Sequence, residues 1–120
     1  MPTTYPVLPV SVHNDLVTRC YRHRGYATME AADATRVCDL AAAHGIRTHN
    51  AIKALHLDHL FGSGSGGCVP GAEIQVIEKG FTASEAWDCG KKLGQSVAFA
   101  AMDRCIELAN QHGIGQVSVD

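Results

Sequence analysis

Three observations predict an α+β fold, with an N-terminal three-helix unit followed by the beginning of a mixed α/β sheet domain. Apolar residues recur at helical spacing through the first half of the chain. A run rich in glycine and serine, Gly62-Ser63-Gly64-Ser65-Gly66-Gly67, then breaks the pattern. Beyond it come short alternating stretches, one long amphipathic helix and a last short strand.

Residues 1–9 hold three of the four prolines (Pro2, Pro6, Pro9) and read as an extended arm. A first helix is expected over residues 11–24, capped by Ser11, with Val12, Leu16, Cys20 and Tyr21 as its apolar stripe and Gly25 as its stop. A second is expected over 29–44, capped by Thr28. Glu30 there suits the positive end of the helix dipole. Its small-residue face, Ala31, Ala34, Val37, Cys38 and Ala41, permits close helix packing, and Gly45 ends it. A third helix is expected over 49–61 with Thr48 as cap. Ile52, Leu55, Leu60 and Phe61 are its apolar residues, with Ala51 and Leu57 on the flanks.

These elements divide the chain into an arm and helical unit (1–61), a Gly-rich linker (62–71) and the start of an α/β cofactor-type domain (72–120). The linker lacks the GK[ST] ending and the preceding strand of a phosphate loop, so a flexible connector is the expectation. Strands are expected over 73–78 and 83–87, a turn at Asp88-Cys89-Gly90, and a long helix over 94–112. Its stripe is Val97, Ala101, Cys105, Leu108 and Ala109, and Gly113 closes it. Residues 116–119 read as a strand that needs a partner. So few strands and one helix cannot bury both faces of a sheet, which points to a piece of a longer chain or one half of an obligate assembly.

Composition narrows the function. The 120 residues are 46% hydrophobic and 18% charged, an ordinary globular balance. A net charge of −2 without a basic stripe gives little support to nucleic-acid binding. No apolar run is long enough to span a bilayer, and the N-terminus lacks a signal-peptide pattern, so a cytoplasmic location and no membrane partner are expected. Five widely spaced cysteines without a Cys-x-x-Cys speak against a disulfide framework or a zinc knuckle. Cys20, Cys38 and Cys105 read as buried small hydrophobes; Cys68 and Cys89, in a loop and beside a turn, could be exposed.

One segment carries chemistry: Gly45-Ile46-Arg47-Thr48-His49-Asn50-Ala51-Ile52-Lys53. Positions i and i+4 share a helix face, so His49 and Lys53 would set a proton donor beside an anion anchor. A 2-oxo acid offers a carbonyl that must gain a proton and a carboxylate that must be held. The competing readings are plain: His49 as a surface histidine at a helix start, Lys53 as a solvated lysine, Thr48 as a cap only. His56 and His59 form an i, i+3 pair able to ligate a metal, but nothing completes a recognisable pattern, and no metal site is assigned. His13, His23, His44 and His112 read as surface or helix-end residues.

Three runs together resemble the malate/L-lactate dehydrogenase family, NAD(P)-dependent 2-oxo-acid and imino-acid reductases of a non-Rossmann type. The first is Ala42-Ala43-His44-Gly45-Ile46-Arg47-Thr48-His49-Asn50, similar to the family's small-residue helix entering a Ser/Thr-His-Gly motif. The second is the Gly-rich loop ending in Val69-Pro70-Gly71-Ala72. The third is Leu93-Gly94-Gln95-Ser96-Val97-Ala98 through His112-Gly113-Ile114-Gly115-Gln116-Val117, similar to the family's long helix and following strand. The resemblance covers residues 10–120 and implies the N-terminal part of an oxidoreductase. It would transfer hydride between NAD or NADP and a small 2-hydroxy or 2-oxo acid, working as a homodimer. His49 would be catalytic, as proton donor and acceptor, and Thr48 and Lys53 would bind substrate. Asn50 stands where the family has glycine, Arg47 where aspartate is common, and Lys53 where arginine is usual, which loses the bidentate fork. The residues that hold the cofactor are left unassigned. The alternative expectation is a non-catalytic helical interaction or dimerisation module without a cofactor site.

Overall fold

The computed structural model describes residues 3–60 and 62–120. Its elements are α1 (Val10–His23), α2 (Thr28–Ala43), a π-helical turn (Lys53–Leu57) running into a short α3 (Asp58–Leu60), β1 (Gln75–Phe81), β2 (Ser84–Asp88), α4 (Gly94–His112) and β3 (Gln116–Val119). The fold is α+β, as expected. β2 lies at the centre of a three-stranded sheet, antiparallel to β1 and parallel to β3. α4 is the crossover that makes the parallel pair possible. The last strand thus finds its partner in β2, with Trp87 opposite Val119.

α4 and β3 occupy the expected residues. Gly113 ends α4 in the left-handed region, φ 82°, and its N–H donates to the Ala109 carbonyl. The two earlier strands lie one to three residues later than expected, and Cys89 is buried beneath the turn rather than exposed on it.

The first helices differ in detail. Neither Ser11 nor Thr28 is a cap. α1 begins after Pro9, whose carbonyl accepts from the His13 N–H, and α2 begins after Ala27. Glu30 takes over the capping task at α2, accepting the Ala27 N–H at 3.0 Å. The buried face of α1 is His13, Val17 and Tyr21, one residue round from the expected stripe, and Val12 is exposed. The rotation follows from His13: it is not a surface residue but is buried, and its Nε2 accepts the Ala51 N–H at 3.0 Å.

α1 and α2 pack closely because α2 presents alanines and Cys38 to Val17 and Tyr21. Thr18 and Thr35 hydroxyls join the two helices at 2.7 Å. Tyr21 and Tyr26 meet edge to face with ring centroids 5.6 Å apart. Leu93, just before α4, completes this core, and Arg36 of α2 stacks over Phe99 of α4 at 4.4 Å. A second cluster, Trp87, Cys89 and Val97, lies between the sheet and α4. No helix among the described residues is long and apolar enough to cross a membrane.

Candidate active site

The third helix departs most from expectation, and the departure builds the site. Helical structure starts at Ala51, not His49. The residue that closes the turn is Asn50, whose Oδ1 accepts the Ile52 N–H at 3.1 Å; Thr48 does not cap it. Within the π turn the Asp58 N–H reaches back to the Lys53 carbonyl. Widening the turn in this way frees carbonyls for other donors. The Ala54 carbonyl accepts Arg24 Nη2 at 2.6 Å and the Cys20 thiol at 3.2 Å. Ala54 and Asp58 turn inward, while Ile52, Leu55 and Leu60, expected to be the apolar face, are exposed. Phe61 lies outside the described residues.

The Gly-rich stretch is hydrogen-bonded in place. The Gly64 N–H donates to the Asp58 carbonyl and the Gly67 N–H to the Gly62 carbonyl, both at 2.9 Å. Glycine is required at position 64 because a Cβ there would lie 2.9 Å from the Asp58 carbonyl oxygen. The loop carries Ser63 and Cys68 to the same place as the π turn.

Together these segments and the start of α4 line a cavity of about 220 Å³. Its walls are Thr48, His49, Lys53, Leu57, Asp58, Gly62, Ser63, Cys68, Leu93 and Gln95. All three residues singled out in the sequence therefore face one cavity, although His49 and Lys53 do not share a helix face. Thr48 Oγ1 sits 2.8 Å from His49 Nδ1. Lys53 is already engaged: its Nζ donates to Asp58 Oδ1 at 2.8 Å.

Asp58, Ser63 and Gln95 were not singled out from the sequence. Asp58 is 5% exposed at its side chain, and Tyr21 and Ser63 hydroxyls both donate to its Oδ2 at 2.7 Å. The Arg24 guanidinium approaches the same oxygen at 3.8 Å. Burial opposes the charge on Asp58, but bonds from Lys53, Tyr21 and Ser63 outweigh it and hold the carboxyl below the ordinary carboxylate range. The Tyr21 phenol is pushed well above its ordinary value by burial first and by Asp58 second. Gln95 Nε2 lies 3.5 Å from the Tyr21 hydroxyl, at the limit of a hydrogen bond. No group of three or more potential metal ligands gathers among the described residues, and His56 with His59 gains no third partner there.

Comparison with known proteins bears on this arrangement. A 2,3-diketo-L-gulonate reductase of Citrobacter koseri is 42% identical over 55 residues, a match covering 46% of this chain and 16% of that protein. Malate dehydrogenase from Pyrococcus horikoshii superposes with a TM-score of 0.85 at 24% identity, covering 96% of this chain and 32% of that one. Sulfolactate dehydrogenase from Methanocaldococcus jannaschii does so with a TM-score of 0.83 at 21% identity, over 95% and 32%. The chain thus spans about a third of the length of these solved enzymes, and its match to the curated reductase takes in a smaller share. At these identities the structures establish a shared fold. The sequence profile of the malate/L-lactate dehydrogenases goes further, matching residues 9–120, which take in the whole cavity and every element that shapes it: the chain belongs to the malate/L-lactate dehydrogenase family.

Proposed function

We propose that this chain supplies the proton-transfer and substrate-anchoring part of an oxidoreductase that moves hydride between NAD or NADP and a small 2-hydroxy or 2-oxo acid. One observation carries the reading: in a member of this family, His49 and Lys53 line the same small cavity. Ligand pockets commonly enclose roughly 300–1,000 Å³. A cavity of about 220 Å³ suits a small acid and not a dinucleotide, so no described residue is assigned to the cofactor. The nicotinamide supplies the hydride.

In the reducing direction, His49 as imidazolium donates a proton from Nε2 to the developing alkoxide. Its Nδ1–H donates to Thr48 Oγ1, 2.8 Å away, and stays there. Nε2 is then the free acceptor that the oxidising direction needs. Lys53 holds the substrate carboxylate and so aims the carbonyl at His49. The same reading makes the working protein a cytoplasmic homodimer. An interaction module without a cofactor site is the less favoured reading, because the family match and the cavity shared by His49 and Lys53 both support an oxidoreductase.

The test is turnover of NADH or NADPH by the native protein with 2-oxo acids of graded side-chain size. His49→Ala should lower kcat by roughly 10²–10⁴-fold. Near-normal turnover in that variant removes His49 from proton transfer.

A further inference from the structure

An acid on a short amphipathic helix is ordinarily solvated, yet Asp58 is buried at the wall of the cavity, 5% exposed at its side chain. Its Oδ2 is occupied by Tyr21 and Ser63, with Arg24 at 3.8 Å, and its Oδ1 by Lys53. Tyr21 is fully buried in the helical core and does not line the cavity, so the carboxylate is braced from behind. Arg24 is itself committed to the Ala54 carbonyl and Ser63 Oγ. Lys53 is then the cation of this group that faces the cavity.

A lysine ammonium rides on a flexible four-carbon stem and lacks the pre-organised fork of arginine. It carries three N–H donors, of which Asp58 takes one. Accepting the oxidoreductase reading above, we propose that Asp58 is the positioning residue for Lys53, fixing the ammonium at the cavity wall so that its other donors receive the substrate carboxylate. Asp58 does not touch substrate and takes no proton; it acts only through Lys53.

The experiment measures kcat and KM of the native protein and its Asp58→Asn, Tyr21→Phe, Lys53→Ala and Asp58→Asn/Lys53→Ala variants. Each is assayed with a 2-oxo acid and with the matching 2-oxo amide, which keeps the reacting carbonyl and lacks the carboxylate. Asp58→Asn should raise KM for the acid about tenfold, the effect of one charge-assisted bond, with kcat changed far less. KM for the amide should not move, and in the Lys53→Ala background Asp58→Asn should add nothing. Should Asp58→Asn fail to fold, Tyr21→Phe carries the test, with an acid-specific rise of about threefold. Equal effects on acid and amide, additive effects of the two substitutions, or an unchanged KM overturn the positioning role. If those results come with His49-dependent turnover, the oxidoreductase reading survives without it. Absence of turnover with every 2-oxo acid overturns both.

Discussion

Glu30 offers the sharpest test of what holds the two halves of this chain together. Its side chain, 4% exposed, reaches three donors on three separate stretches. These are the Ala27 N–H at 3.0 Å, the Gly71 N–H at 3.2 Å and Lys92 Nζ at 2.8 Å. Glu30→Gln keeps the shape, removes the charge and turns an amide donor toward one of these donors. A hydrogen bond to a charged group contributes about 1.5–3 kcal/mol, and breaking a fully buried pair costs about 3–5 kcal/mol. Lys92 retains the Ala72 carbonyl and is 19% exposed, so the lower figure governs: about 1.5–3 kcal/mol. Urea unfolding followed by circular dichroism gives the difference, and hydrogen exchange at the Ala27 and Gly71 amides shows where protection is lost. The pH dependence has a definite sign. Burial opposes the charge on Glu30, but bonds from Lys92, Ala27 and Gly71 prevail and depress its pKa. Its contribution is therefore complete above the ordinary glutamate value of about 4.3 and fades as pH falls through the lower folded value. The gap between the native protein and the variant should shrink over that acid range. A difference within about 0.5 kcal/mol at neutral pH, as for an ordinary surface change, or one that stays constant into acid, refutes the argument.

Three further outcomes are expected. Gly64→Ala drives a Cβ against the Asp58 carbonyl and the His59 nitrogen and should destabilise by about 1–3 kcal/mol in a thermal or urea melt; a neutral result would mean that the loop is not packed as described. His13→Ala removes the acceptor of the Ala51 N–H and should cost about 1–3 kcal/mol, with kcat falling as the His49 segment loosens, whereas His13→Gln should recover part of both. Burial pushes the Cys38 thiol up to about 11, so iodoacetamide at mildly alkaline pH should leave it unmodified until the protein is denatured; rapid native labelling would contradict its burial.

What the sequence made legible follows from local signals. α4 carries an apolar stripe and a glycine where a left-handed residue is needed, and its observed ends match that reading. The faces of α1 and of the π turn were misjudged because hydropathy alone ranks Val12, Ile52 and Leu55 above His13 and Asp58. The native structure inverts the ranking by giving His13 a backbone N–H and Asp58 three donors, which no local pattern announces. Ser63 was hidden because Gly-Ser runs resemble linkers, and its role depends on Asp58, five residues earlier. One clue was available: a helical Lys53 and Asp58 five apart are poor partners on a regular α-helix, whereas a π turn brings them together.

The cavity is held less by its own segment than by α1. His13, in the first turn of α1, takes the N–H of Ala51; Arg24, just past its last turn, takes the carbonyl of Ala54. The two contacts grip the chain three residues apart, on either side of Lys53. The carbonyl that Arg24 needs is free because the Asp58 N–H bonds to Lys53 and not to Ala54. The same shift delivers the Asp58 carboxylate to Tyr21, midway along α1. A regular α-helix through 53–58 would return the Ala54 carbonyl to its own ladder, in competition with Arg24 and the Cys20 thiol, and weaken the hold on an Arg24 guanidinium that is only 10% exposed at its side chain. The irregular turn, the buried acid and the placement of Lys53 therefore stand or fall together. On the proposed anchoring role of Lys53, a substitution that regularises the turn should raise KM for a 2-oxo acid even where every cavity residue is left in place, and an unchanged KM would uncouple the turn from the anchor.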